Sequence, residues 1–269
     1  MADALRKRVL TAGVLVVVLL TVLLWLPAWA TVTLLAGLAL AGAWEWSAFM
    51  LLVAPAWRIG YVLLVGALLC AAWRFSAAPA RRELLLAVAV AWWLVALAWI
   101  VFAPRRVAPW AAGFAGILAL VPAWLALARL RLAPQGAQWV LFALLLVWVA
   151  DIGAFFSGRR FGRLRLAPEV SPGKTWEGAL GGVAGSAPVA VAGGLWFQVP
   201  LAVFVPLCLA VVALSIVGDL TESLLKRFAG MKDSGSIFPG HGGVMDRIDS
   251  LTSASPALVL GLTLLGVVA

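Results

Sequence analysis

The residues that could do chemistry in this chain are concentrated in one stretch, from Gly218 to Ser250. That stretch holds five of the eleven carboxylates, the single histidine and four basic side chains, within a strongly apolar sequence. They are Asp219, Glu222, Asp233, Asp246, Asp249, His241, Lys226, Arg227, Lys232 and Arg247. Ionisable groups at the end of a membrane span are costly and therefore indicate a functional site. Both signs of charge among glycines suit a polyphosphate and its cation better than a purely structural ion pair.

Four residues of this stretch fall on one face of a helix predicted over 201–228. They stand at offsets 0, 3, 4 and 7 and are Asp219, Glu222, Ser223 and Lys226. Gly218 lets a neighbouring backbone approach where this stripe begins. An ion-pair network that closes the helix end is the alternative interpretation. Against it, Asp219 lies about two turns inside the predicted helix end, where pairing alone does not justify its desolvation.

The loop after this helix is punctuated by glycines, namely Gly230, Gly235, Gly240, Gly242 and Gly243. Such a loop can direct backbone N–H groups at phosphate oxygens, and nearby cations add positive charge. These cations are Lys226, Arg227, Lys232 and Arg247. The loop and its cations therefore predict a phosphate-binding segment.

Two carboxylates, Asp246 and Asp249, follow this loop three residues apart, so that they can face one way as the next helix begins. Their hard oxygens suit Mg²⁺, which takes few protein ligands and adds substrate phosphates to its shell. With Asp219 or Glu222 opposite, two cation positions are feasible. His241 could act as a general base or as a hydrogen-bond donor to phosphate, and one histidine without a cysteine partner does not indicate zinc.

A second group of polar residues lies between the sixth and seventh predicted spans. Asp151 falls inside a span, and four further candidates surround the start of the seventh helix, namely Ser171, Lys174, Thr175 and Glu177. Thr175 or Ser171 could cap that helix, and Lys174 near its positive end would favour phosphate. The string SPGKT lacks the upstream glycine and the preceding strand of a P-loop. Arginines 159, 160, 163 and 165 fit a topology signal.

The elements that must position these residues are membrane helices. Hydrophobic residues make up 65% of the 269 and charged residues 12%, and apolar runs of about 20 residues recur along the chain. We predict an all-α polytopic integral membrane bundle of about nine helices, forming a single domain over 1–269. The spans are 9–27, 30–50, 59–76, 84–103, 108–128, 137–157, 176–197, 201–228 and 250–269. Because eight of the eleven carboxylates lie in 151–249, residues 1–136 are predicted as a scaffold or lipid-facing part and 137–269 as the catalytic part.

The basic residues predict the orientation of these spans. With the N-terminus in the cytoplasm, fifteen Lys and Arg fall on the cytoplasmic side and five on the other, which obeys the positive-inside rule. The C-terminus is then outside and the active site on the cytoplasmic side. The net charge of +9 follows from this topology and from anionic lipid, and does not indicate nucleic acid. Cys70 and Cys208 lie in apolar runs and fit small packing residues.

The segment from Ser223 to Asp249 carries the pattern S-L-L-K-R-x4-K-D-S-G-S-I-F-P-G-H-G-G-V-M-D-R-I-D. It resembles the signature of the phosphatidate cytidylyltransferase (CDP-diacylglycerol synthase) family. S-P-G-K-T-W-E-G, from Ser171 to Gly178, resembles a second motif block of that family. The resemblance in motif covers roughly the C-terminal 120 residues, and upstream it rests on length and span count. Ile152 is a departure, because a small hydroxyl residue is expected after Asp151.

The resemblance implies an enzyme of the bacterial-type inner membrane that condenses CTP with phosphatidic acid into CDP-diacylglycerol and pyrophosphate. It implies Mg²⁺, with K⁺ as a candidate second cation. The implied metal ligands are Asp219, Asp246 and Asp249, with Glu222 as a further candidate. The implied phosphate-binding residues are Lys174, Lys226, Arg227, Lys232 and Arg247. Further site candidates are Ser171, Thr175, Glu177, Ser223, Asp233 and His241. Helical bundles of this kind commonly form homodimers, and the sequence names no interface.

Two alternatives remain open at this point. A CTP-dependent polyprenol kinase would share the nucleotide and the cation but would transfer the γ-phosphoryl group. A cation-coupled transporter would place carboxylates near the bilayer centre on symmetric, broken helices. Here the charges cluster at one side and in one half of the chain, which disfavours a transporter.

Overall fold

Nine helices and one small hairpin make up the parts of the chain that the computed structural model describes, residues 13–14, 16–238 and 242–268. The first helix, α1, covers residues 16–24. The others are α2 (Ala28–Phe49), α3 (Pro55–Phe75), α4 (Pro79–Phe102), α5 (Pro109–Leu132), α6 (Gly136–Phe161), α7 (Trp176–Trp196), α8 (Leu201–Phe228) and α9 (Met245–Leu264). The strands β1 (Arg165–Ala167) and β2 (Ser171–Thr175) pair antiparallel between α6 and α7. The all-α fold class is confirmed.

In the part of the chain that the structure describes, seven helices, α2 to α8, are long and apolar enough to cross a membrane. Most predicted spans match these helices within a few residues, and the span predicted over 201–228 coincides with α8. The last span differs more. It was predicted to begin at 250, whereas α9 begins at Met245 and includes Asp246, Arg247 and Asp249. Asp246 joins the helix because neighbouring elements supply hydrogen-bond partners for it, as described below.

Proline sets the start of several helices in this bundle. Pro55, Pro79 and Pro109 each occupy the first turn of their helix, where a missing N–H costs nothing and the fixed φ angle suits the helix. The connections between α1 and α6 are only a few residues long. Consecutive helices therefore run in opposite directions, and the ends of the bundle alternate along the chain.

Arginine contacts agree with this alternation. At one end, Arg129 donates to Ser76 and to the carbonyl of Trp73, linking the end of α5 to the end of α3. At the opposite end, Arg105 forms a bidentate pair with Glu169, both at 3.0 Å, which ties the α4–α5 loop to the β-hairpin. The predicted spans also put these residues on opposite sides, because Arg105 precedes the span 108–128 and Arg129 follows it. The end that carries Arg105 is called the site end below.

Glycine permits two close helix crossings that matter for the site. A Cβ at Gly218 of α8 would lie 2.5 Å from Ser253 Oγ and 2.6 Å from the carbonyl oxygen of Asp249, both on α9. A Cβ at Gly153 of α6 would lie 2.8 Å from the carbonyl oxygen of Gly181 on α7. Side chains cannot fit at such distances. The predicted approach of a backbone at Gly218 is confirmed, and it brings Asp219 towards Asp249.

Candidate active site

Acidic and basic side chains from five elements meet at the site end of the bundle. Helix α6 contributes Asp151, β2 contributes Lys174, α8 and α9 contribute several residues each, and α2 contributes Glu45.

Lys226 forms two ion pairs, one within α8 and one that links α8 to α9. Its Nζ lies 3.1 Å from Glu222 Oε2, one turn earlier on α8, and 2.7 Å from Asp246 Oδ1 on α9. The side chains are sheltered, with 12% of Lys226 and 1% of Glu222 exposed. The predicted stripe on α8 is thus confirmed as one face. Glu222 and Lys226 form the intrahelical pair that the alternative interpretation expected. Lys226 extends this pair by its contact with Asp246 on α9.

Asp219 lies outside this network and pairs with Lys174 instead. The Lys174 Nζ contacts Asp219 Oδ2, which connects β2 to α8. The sequence analysis did not predict this hairpin. Its role in the structure is to place Lys174 beside Asp219, at the beginning of the polar face of α8. Thr175 closes the strand and caps α7, since its Oγ1 accepts the N–H of Gly178 at 3.1 Å, which confirms one of the two predicted caps.

Asp246 is surrounded by donors. Its Oδ2 accepts the N–H of Gly243 at 2.8 Å and that of Ser234 at 3.0 Å, and it lies 3.0 Å from Ser234 Oγ. Its Oδ1 accepts from Lys226. Burial alone would raise the pKa of Asp246, but the hydrogen bonds from Lys226, Gly243 and Ser234 outweigh burial and hold that pKa below its ordinary value. Asp246 is therefore a carboxylate anion at neutral pH.

Glu45 on α2 is a site residue that the sequence analysis did not select. It is 2% exposed and accepts hydrogen bonds from Val244 N, Met245 N and Ser234 Oγ at 2.9 to 3.0 Å. It belongs to the part of the chain predicted as scaffold. The signal that could have identified it is its position as a lone carboxylate inside an apolar run, where an ionisable group marks a functional site.

Two further carboxylates, Asp151 and Asp249, interact with the paired residues through their charges. Asp151 on α6 interacts electrostatically with Asp219, with Asp249 and with Lys174, and Asp249 interacts in the same way with Asp219 and with Glu222. Acidic side chains from α6, α8 and α9 therefore share one location. The buried Glu222 side chain lies close enough to Asp249 for the two carboxyl groups to share a proton.

A cavity of about 640 Å³ extends from these carboxylates along the bundle. Its charged end is formed by Asp151, Asp246, Arg247 and Asp249. Most of its remaining wall is apolar and comes from α1, α2, α5 and α6, with residues such as Leu34, Leu38, Leu120, Leu127, Leu144 and Trp148. A cavity with this lining suits a ligand with a charged head and a hydrocarbon tail.

The other predicted site residues lie around this centre. Arg227, Lys232, Asp233 and Arg247 are exposed at the site end, and Ser223 and Ser171 are half-buried. Glu177 accepts the backbone N–H groups of Arg163 and Leu164 at 3.1 to 3.3 Å, so it holds the turn after α6. The prediction for His241 lies outside the described residues.

Within the described ranges, no three His, Cys, Asp or Glu side chains converge closely enough to form a metal cage by themselves. Asp249 lies near both Asp219 and Glu222. Mg²⁺ needs few protein ligands when substrate phosphates complete its shell, so these acidic side chains suit a cation that takes only one or two of its ligands from the protein.

Comparison with known proteins points to one family. Residues 6–265 match the profile described as "Cytidylyltransferase family". A phosphatidate cytidylyltransferase of Pseudomonas aeruginosa is 38% identical over 259 residues, which cover 94% of each chain. That of Haemophilus influenzae is 36% identical over 278 residues, covering 94% of this chain and 96% of its own. That of Brucella suis is 47% identical over 132 residues, or 47% of each chain.

Replacing Lys226 tests the ionic link between α8 and α9. Lys226→Met leaves Glu222 and Asp246 without their shared cation, and we expect it to lower the free energy of unfolding by about 3 kcal/mol. Arg227→Met is the matched control, since Arg227 is the next residue and is exposed. Thermal unfolding in detergent should show a midpoint several degrees lower for Lys226→Met only. Equal midpoints for the two variants would contradict a stabilising link.

Proposed function

This chain belongs to the cytidylyltransferase family, and we propose on that basis that it is a phosphatidate cytidylyltransferase. It condenses CTP with phosphatidic acid to give CDP-diacylglycerol and pyrophosphate in the membrane. The observation that carries this proposal is the cavity that is charged at one end and apolar along its walls. Phosphatidic acid likewise has a charged part and an apolar part. Its phosphate must react with a nucleotide, and its two acyl chains must stay out of water.

The reaction is an in-line displacement at the α-phosphorus of CTP. An oxygen of the lipid phosphate forms the new P–O bond, and the bond between the α-phosphorus and the bridging oxygen breaks, releasing pyrophosphate. A phosphate monoester is already anionic at neutral pH, so the attack needs no strong base. The barrier arises from repulsion between two anions and from the charge that builds on the leaving group. Alignment and positive charge are therefore what the protein must supply.

Cationic side chains at the site end fit this requirement. Arg247 lines the cavity and is exposed, and Arg227 and Lys232 are exposed beside it. These three residues bind substrate phosphates in our proposal. Lys174 and Lys226 each contact a carboxylate, and they hold Asp219 and Asp246 in place until phosphates compete for their Nζ groups.

Asp219, Glu222, Asp246 and Asp249 would hold Mg²⁺, and K⁺ is a second cation for the same acidic cluster. The support is the closeness of Asp249 to Asp219 and Glu222, and of Glu222 to Asp246. When bound, Mg²⁺ supplies divalent charge that offsets the repulsion between the substrates and stabilises the departing pyrophosphate.

The site end faces the cytoplasm in our proposal, with the N-terminus inside and the C-terminus outside. The support is the excess of Lys and Arg assigned to that end. CTP then enters from the cytoplasm, while the lipid reaches the apolar wall of the cavity from the inner leaflet.

Doubly labelled CTP tests the reaction. With purified protein, phosphatidic acid and Mg²⁺, label in the cytosine ring should appear in lipid, and label in the γ-phosphate should appear in pyrophosphate. A polyprenol kinase would give a different result: the γ-phosphate label would enter a polyprenol, and the cytosine label would remain in CDP. The control omits phosphatidic acid. Label from the γ-phosphate in the lipid fraction would refute the proposed activity.

Asp249→Asn tests the acidic cluster. Removing one negative charge from the cavity should lower kcat/KM by at least about tenfold, a loss of about 1.4 kcal/mol or more, and higher Mg²⁺ should restore part of it. Glu169→Gln is the matched control, because Glu169 pairs with Arg105 at the surface. Retention of full activity by Asp249→Asn, in protein that elutes from a sizing column like the wild type, would remove Asp249 from the metal site.

Fusions at the C-terminus test the orientation. Alkaline phosphatase fused after residue 269 should be active, and green fluorescent protein fused there should be dark, because only the first works outside the cytoplasm. A fusion after Arg106, in the α4–α5 loop, should give the opposite result. A fluorescent C-terminal fusion would contradict the proposed orientation.

A further inference from the structure

The buried carboxylate of Glu45 contacts the start of α9 and the loop before it. Its Oε1 accepts from Val244 N at 3.0 Å, and its Oε2 accepts from Met245 N at 2.9 Å and lies 3.0 Å from Ser234 Oγ. These partners are 189 to 200 residues away in sequence. All three belong to the segment that also holds Asp246.

Helix α9 begins without a side-chain cap of its own. Its N-cap residue, Val244, offers no oxygen to the first-turn N–H groups, and such groups are costly when buried without an acceptor. Glu45 supplies that acceptor from another helix, and a negative charge is favourable at a helix N-terminus. This contact lets Met245 and Asp246 join the helix, although the chain before them is a glycine-rich loop.

Ser234 connects Glu45 to Asp246. Its Oγ lies 3.0 Å from Glu45 Oε2 and 3.0 Å from Asp246 Oδ2, and it accepts the N–H of Asp246 at 3.3 Å. The two carboxylates therefore share one hydroxyl. Any shift of Glu45 moves both the backbone of α9 and the group that orients the Asp246 side chain.

The glycines of the loop leave room for Glu45. A Cβ at Gly235 would lie 2.3 Å from Glu45 Oε1, and a Cβ at Gly243 would lie 2.3 Å from Glu45 Oε2. Two glycines that the sequence analysis assigned to phosphate binding thus have a second explanation, which is the tight enclosure of a carboxylate. An enclosure this close fixes the position of Glu45.

We propose that Glu45 is a positioning residue for the active site: it fixes the start of α9 and, through Ser234, the orientation of the Asp246 carboxylate at the cavity. The role in catalysis rests on the proposed function. The role at α9 rests on the contacts alone. Glu45 itself touches neither substrate nor cavity wall in this assignment, so it acts through Asp246.

Glu45→Gln is the test variant, because it keeps the shape but lacks one acceptor oxygen and the charge. In the full-length protein in detergent, we expect the amides of Val244 and Met245 to exchange hydrogen at least about tenfold faster than in the wild type. Glu83→Gln is the matched control, since Glu83 lies near the start of α4 at the opposite end of the bundle. Unchanged exchange at the two amides would overturn the proposal, whatever reaction the protein catalyses.

The catalytic arm uses Glu45→Gln, Ser234→Ala and the double variant, with Ser186→Ala as the control. Ser186 is a buried hydroxyl on α7 that donates to its own helix. We expect each test variant to lower kcat about tenfold and to raise the Mg²⁺ concentration at half-maximal activity several-fold. The double variant should lose no more than Glu45→Gln alone, because both changes act on one shared hydroxyl.

The two arms separate the ways in which the proposal can fail. A lower yield of folded Glu45→Gln, with wild-type kcat and Mg²⁺ dependence in the folded fraction, would show a purely structural role and refute positioning. Multiplied losses in the double variant would refute the shared hydroxyl. A wild-type protein that makes no cytidine-bearing lipid would refute the proposed function, and the exchange of Val244 and Met245 would still decide whether Glu45 fixes α9.

Discussion

Carboxylates inside an apolar bundle must each find a donor, and the arrangement of the site end follows from this constraint. A buried anion without a partner costs several kcal/mol (about 3–5 on loss of one partner). The chain meets the requirement by pairing across elements: Lys226 of α8 with Asp246 of α9, Lys174 of β2 with Asp219 of α8, and Glu45 of α2 with the amides of α9. Each pairing also fixes the relative position of two elements, so the ion pairs and the geometry of the cavity have the same origin.

Close helix crossings bring these partners within reach. Gly218 allows α9 to approach α8 where Asp219 faces Asp249, and Gly153 allows α7 to approach α6, next to Asp151. The apolar wall of the cavity, from α1, α2, α5 and α6, then continues from the acidic end without a break. A membrane enzyme that joins a lipid to a nucleotide needs both surfaces in one cavity, because its two substrates have opposite preferences for water.

Much of the fold could be predicted from sequence, because a membrane span is a local property. Apolar runs of the right length gave α2 to α8, and the offsets within 219–226 gave the face of α8 that carries the site. The start of α9 could not be predicted, since its charged first turn depends on Glu45, about 200 residues away. The hairpin of β1 and β2 was missed for a related reason: three and five residues give too short a pattern.

The partners of the site residues show the same limit. The sequence identified Lys226 and Asp246 as neighbours in function but assigned them to different ligands, a phosphate and a metal ion, whereas in the structure they contact each other. It also treated all five glycines as one phosphate loop, whereas two of them have a further role, which is to enclose Glu45. Residue type and spacing identify which groups gather at one end of a helix. Only the tertiary packing decides which of them meet.

The hydroxyl of Ser234 has a single proton and two carboxylate oxygens at equal distance. It can donate to only one of them at a time, and rotation about its Cβ–Oγ bond changes which one. If a ligand recruited the oxygen of Asp246, this rotation would let the hydroxyl bond Glu45 instead, so no buried donor would be left unpaired. A backbone amide in the same place has no such freedom, and a hydroxyl at this position would therefore let Asp246 change partners at little energetic cost.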